Sequence, residues 1–128
     1  MLQLSLPVAN SSAAVARREL TAALRRSVSS SALAVAHGVA TELIRGALLC
    51  EPQPAVPIEL TAAQHDGTLR LTVQDAGPKR GSPFDYPDDL TAEGVSGRLL
   101  RGLCEASGFE RVNDVTIAWG EFASGRNA

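Results

Sequence analysis

Leu2, Leu4 and Leu6 alternate with Gln3 and Ser5 until Pro7 ends the run, a period of two that predicts a short edge strand. Asn10, Ser11 and Ser12 then offer N-cap side chains. From Ala16 the apolar positions fall at Leu20, Ala23, Leu24 and Val28, a helical stripe that leaves Arg17, Arg18, Arg25 and Arg26 largely outside it. Serines at 27 and 29–31 interrupt this pattern and recap a second helix, roughly Ala32 to Cys50. That helix is apolar on nearly every side (Leu33, Val35, Ala36, Val39, Leu43, Ile44, Leu48), so it must be covered on more than one face. Its conspicuous polar member is Glu42, with Gly38 and Gly46 one turn away on either side, and Pro52, Pro54 and Pro57 end it.

Ile58, Leu60 and Ala62 alternate with polar residues, as do Leu69, Leu71 and Val73. The Asp66-Gly67 pair between the two runs predicts a hairpin whose second strand ends at Asp75. A stretch rich in glycine and proline follows, from Ala76 to Ala92, with the length and composition of a lid or binding loop. A third helix opens at Gly94, places Val95, Leu99, Leu103 and Ala106 on one stripe, and is expected to stop at Ser107-Gly108. Phe109 to Phe122 reads as two short strands joined near Asn113-Asp114, with Val115, Ile117 and Trp119 on one face of the last. Strand, two helices, hairpin, lid, helix and hairpin assemble into a two-layer α/β sandwich, a mainly antiparallel sheet with helices on one face. The expected organisation is one domain over residues 1–123 and a disordered tail over 124–128.

Composition supports a single globular core: 128 residues, 45% hydrophobic and 20% charged, with 20 alanines and five aromatics. That balance favours helices packed closely through small side chains over an aromatic-rich β core. The formal charge of −2 and the lack of a basic cluster argue against nucleic acid or a lipid surface as partner. Of twelve cations eleven are arginine and only Lys79 is lysine, a skew expected of a GC-rich bacterial genome. No stretch reads as a run of ~18 apolar residues and the start lacks a basic n-region, so the chain reads as cytoplasmic, without a membrane partner. Cys50 and Cys104 have neither CxxC nor zinc spacing and read as small buried thiols. His37 and His65 have no nucleophile signature beside them.

What remains is a linear series of motifs: Glu42-Leu43-Ile44-Arg45-Gly46-Ala47 on the second helix, Asp75-Ala76-Gly77 at a strand end, Gly94-Val95-Ser96-Gly97 opening the third helix, and Trp119-Gly120-Glu121-Phe122 in the last strand. In order and spacing, from Leu2 to Phe122, this series resembles the nucleotide site of the GHKL superfamily, which includes gyrase, Hsp90 and the histidine kinases. The branch it is most similar to is that of the bacterial anti-sigma-factor serine/threonine kinases. The resemblance implies a Bergerat-type sandwich that binds ATP with Mg²⁺. It implies that Asp75 accepts the adenine amino hydrogen and that Gly77 lets the base lie against backbone. Gly94, Ser96 and Gly97 would present N–H groups to the phosphates, and Glu42 would be the general base.

Three departures accompany the resemblance. Gly46 stands where the family carries the asparagine that ligates Mg²⁺, so no metal ligand is expected there. Ser96 replaces the second glycine of the phosphate turn. Aligned through Trp119, Ile117 stands where relatives carry a threonine near adenine, and Thr116 is one residue off, on the opposite face of a strand. The expected function is therefore that of an anti-sigma-factor-like regulator acting by protein–protein binding in a bacterial transcription or signalling switch, with weak or lost ATP binding. Its expected partners are a sigma factor or an anti-sigma-factor antagonist, with a second copy of the chain as a further expectation because several family members dimerise. Two alternatives stay open: an active ATP-dependent serine/threonine kinase acting on the antagonist, and a module for another small ligand. Glu42 also admits a plainer reading, a helix carboxylate paired with Arg45, and Asp75-Ala76-Gly77-Pro78 one of turn chemistry alone.

Overall fold

The computed structural model describes residues 2–49, 52–76, 92–113 and 115–125, with the side chains of 92–97 and 111 left out. In order the elements are β1 (Leu2–Leu6), α1 (Ser12–Leu24), α2 (Ser30–Leu49), β2 (Ile58–His65), β3 (Thr68–Ala76), α3 (Ala92–Leu103), β4 (Ala106–Val112) and β5 (Val115–Ala123). The five strands form one sheet in the order β1-β2-β3-β5-β4 with every neighbouring pair antiparallel. The Asp-Gly pair closes the β2–β3 hairpin as a two-residue turn opposite His65↔Thr68. Asp66 (φ 51°) and Gly67 (φ 80°) both adopt positive φ, the geometry whose twist matches that of the strands it joins.

Alternation along the strands sends Ile58, Leu60 and Ala62 of β2, Leu69, Leu71 and Val73 of β3, and Ala118 and Phe122 of β5 into the core. Leu20 and Leu24 of α1 and Val39, Leu43 and Ile44 of α2 meet them there. Each fully buried leucine or isoleucine contributes about 1.5–3 kcal/mol relative to an exposed one, so this single layer between helices and sheet supports the fold. α2 is the central helix, packed on α1, α3, β3 and β5. Contrary to the reading that no stretch is apolar enough, α2 by length and composition alone could cross a membrane; here α1, α3 and the sheet cover it. Its all-round apolarity follows from having three neighbours.

The structure corrects the sequence reading at several points. Ser11 is the N-cap of α1 but makes no side-chain cap bond; the Ser12 hydroxyl instead donates to the Pro7 carbonyl at 2.5 Å. α3 ends at Leu103, so Ser107-Gly108 lies inside β4 rather than at a helix stop. Glycine is required at 108 for another reason: a Cβ there would sit 2.9 Å from the Trp119 ring, which lies against that backbone. On α3 the buried leucine is Leu100, while Leu99 and Leu103 are 47% and 37% exposed. Nor is Ser124 a tail residue. It is fully buried, its N–H donates to Gly67 (2.9 Å), and its carbonyl accepts from Ser29 (3.0 Å). Gly125 follows at φ 73°, where a Cβ would run into the Ser29 hydroxyl.

Candidate functional site

Asp75 is the penultimate residue of β3 and falls on the inward face of the strand, in phase with Leu69, Leu71 and Val73. It is 5% exposed, a carboxylate where alternation alone would put a hydrophobe. Its partner across the ladder is Thr116 of β5, itself 3% exposed. The Thr116 Oγ1 atom is buried with no hydrogen-bond partner among the described residues. Leaving a buried hydroxyl unsatisfied costs about 1–3 kcal/mol, which a ligand offering a donor or acceptor would relieve. A cavity of about 210 Å³ lies at the same strand end, lined by Glu59, Gln74, Ala76 and Val115 from the outward positions of the strands as well as by Asp75.

The register overturns the expectation that the position near Asp75 is taken by Ile117. Ile117 pairs with Gln74, on the alternate face, and Thr116 stands directly opposite Asp75. Bulk misled the sequence reading: Val115, Ile117 and Trp119 are larger than Thr116, Ala118 and Gly120, yet the smaller set faces the helices. The helices leave room for nothing bigger. A Cβ at Gly120 would lie 2.5 Å from Cys104 Sγ, 3.2 Å from Val39 and 3.5 Å from Leu100. The available signal was the alternation of Ala118, Gly120 and Phe122 with Thr116.

Glu42 and Gly46 are both buried on α2. Glu42, 7% exposed, forms an ion pair with Arg45 one turn on, Oε1 to Nη1 3.5 Å. The plainer reading of Glu42 is thus realised in its pairing, though at a buried rather than a surface position. The guanidinium lies beside one of the two carboxylate oxygens. Gly46 supplies no side chain, and among the described residues no group of three or more His, Cys, Asp or Glu could hold a metal ion. Asp75 and Thr116 thus set a buried carboxylate and a buried hydroxyl opposite one another at the strand end, and Gly46 offers a metal no side-chain donor.

Gly94 lies in the first turn of α3, which begins at Ala92. The side chains at Gly94, Ser96 and Gly97 are not described, and Gly77, Lys79 and the lid over 77–91 lie outside the described residues, as do Cys50 and Asp114. Cys104 is a free thiol, and burial pushes it up to about 11, partly offset by a hydrogen bond from the Glu121 backbone.

No protein-family model matches the sequence, and no curated protein matches it. Solved structures do match by shape. One is the crystal structure of the RsbU and RsbW domains of Rv1364c from Mycobacterium tuberculosis, with a TM-score of 0.73 and 20% identity over 99% of this chain and 33% of that one. Another is the histidine kinase domain of the blue-light activated histidine kinase from Erythrobacter litoralis EL346, with a TM-score of 0.58 and 16% identity over 92% of this chain and 61% of that one. The chain thus spans a third of the length of the first and about three fifths of the second. It has the GHKL-type fold, an α/β sandwich with a five-stranded antiparallel sheet.

Proposed function

We propose that this chain is an anti-sigma-factor-like regulator, which acts by binding a protein partner in a bacterial transcription or signalling switch and has lost most of its magnesium-dependent ATP binding. The observation that carries the second half is Gly46. It is buried on α2, one turn beyond Glu42, at the position where the resembled family places its metal-ligating asparagine. The Arg45 guanidinium beside Glu42 supports the same reading, because a neighbouring cation makes a carboxylate a weaker base toward a hydroxyl. The fold and the order of motifs support a sigma factor or an anti-sigma-factor antagonist as partner, in the cytoplasm. Damage to a metal shell typically weakens metal binding by roughly 10–100-fold.

Calorimetric titration with ATP, with and without Mg²⁺, tests the proposal. Weak binding that magnesium leaves unchanged is expected, and micromolar magnesium-dependent binding would overturn it. Gly46→Asn is expected to restore a dependence on magnesium while leaving adenosine affinity unchanged. One observation favours a second reading, an active serine/threonine kinase: a buried carboxylate, Asp75, stands at the strand end where the resembled family binds adenine. Phosphoryl transfer to a serine on an antagonist protein, abolished by Glu42→Gln, would establish that reading instead.

A further inference from the structure

Between α1 and α2 lies a cavity of about 430 Å³, within the range of small-molecule sites. Ala13 and Ala14 of α1 and Leu48 and Leu49 of α2 give it an apolar wall, with the fully buried Ile44 behind it. Its charged contributions are Arg17 and Arg45, and no carboxylate lines it among the described residues.

Arg17 is held in place rather than free to swing into solvent. Its Nη1 donates to Thr41 Oγ1 at 3.0 Å, and the Thr41 hydroxyl donates in turn to the His37 carbonyl at 2.8 Å. Thr41 is thereby fixed as an acceptor toward Arg17, and the guanidinium bridges the two helices. An arginine has five N–H donors in a rigid fork, of which this bond uses one. Arg45, whose side chain is 53% exposed, stands at the rim and shares its charge with Glu42. A preorganised guanidinium above an apolar wall matches a carboxylate attached to a hydrocarbon body, since a planar fork meets a carboxylate in two parallel bonds and the remainder buries apolar surface.

We propose that the α1–α2 cavity is a binding site for a small organic carboxylate with a short hydrocarbon chain, bound through Arg17 with its chain against Ala13 and Leu48. The site uses neither Asp75 nor Thr116, and it does not depend on the nucleotide reading.

Titration of the full chain with octanoate tests it, with octylamine and inorganic phosphate as controls. Octanoate is expected to bind at one site per chain, and octylamine, with the same chain and the opposite charge, is not. Arg17→Gln keeps a donor for Thr41 and is expected to weaken octanoate roughly tenfold or more. Ala14→Leu intrudes on the cavity and is expected to abolish binding with the circular dichroism spectrum unchanged; it carries the test should Arg17→Gln fail to fold. Asp75→Asn is expected to leave octanoate affinity unchanged, which separates a failure here from a failure at the nucleotide end. Equal binding of octanoate and octylamine would overturn the proposal, as would phosphate binding as tightly as octanoate. So would octanoate affinity that neither Arg17→Gln nor Ala14→Leu changes.

Discussion

A buried threonine hydroxyl without a partner is expensive, and Thr116 carries one with none among the described residues, opposite a buried carboxylate. If that hydroxyl exists for a ligand, Thr116→Val should raise the stability of the ligand-free chain by about 1 kcal/mol, because an unsatisfied polar atom is replaced by a methyl of similar shape. Adenosine affinity should fall several-fold in the same variant. Urea unfolding and adenosine titration measure the two effects, and a loss of stability would mean that the hydroxyl serves the fold. At this scale the sequence was half legible. Asp75 stands out because a carboxylate ends an alternating strand, whereas Thr116 is hidden by three bulkier neighbours on the wrong face. The Glu42–Arg45 pair was legible from its spacing alone, since residues three apart on a helix face each other.

Elements were easier to read where local chemistry decides them. Period-two runs and an Asp-Gly turn placed β2 and β3, and the nearly all-round apolarity of α2 announced a central helix. The end of α3 was misread because Ser107-Gly108 looks like a helix stop, while the reason for Gly108 lies across the sheet under Trp119. Such a requirement is made by tertiary packing, which no local pattern carries. Gly120 is the same case on the inner face, where Val39 of α2 and Leu100 of α3 both lie against β5. Gly120→Ala would drive a methyl into Cys104 and Val39, an overpacking that typically costs about 1–3 kcal/mol. A matching drop in the urea midpoint is expected, and Cys104→Ala in the same chain should recover part of it. No recovery would place the strain on Val39 or Leu100 instead.

For the molecule as a whole, the junction of α3, β4 and β5 is where the helix layer is tied to the far edge of the sheet, and Cys104 stands in it. The Cys104 N–H donates to Leu100 at 3.1 Å and the next residue, Glu105, donates to Glu121 at 2.8 Å, so helix, loop and strand are linked within two residues. Burial holds the Cys104 thiol up at about 11, against 9.0 for an unburied one. The folded chain therefore keeps this proton at a pH where the unfolded chain has released it. Because stability falls with pH wherever the folded state binds more protons, this group's contribution is present in full below about pH 9 and is lost as pH rises through about 11. Other groups titrate in the same window, so the relevant quantity is the stability of the native chain minus that of Cys104→Ala, measured by urea unfolding at each pH. That difference should decline between about pH 9 and 11, and alkylation of Cys104, mapped by mass spectrometry, should accelerate over the same interval. A difference flat in pH would mean that the thiol meets water as freely in the folded chain as in the unfolded one, and that the junction between helices and sheet is open.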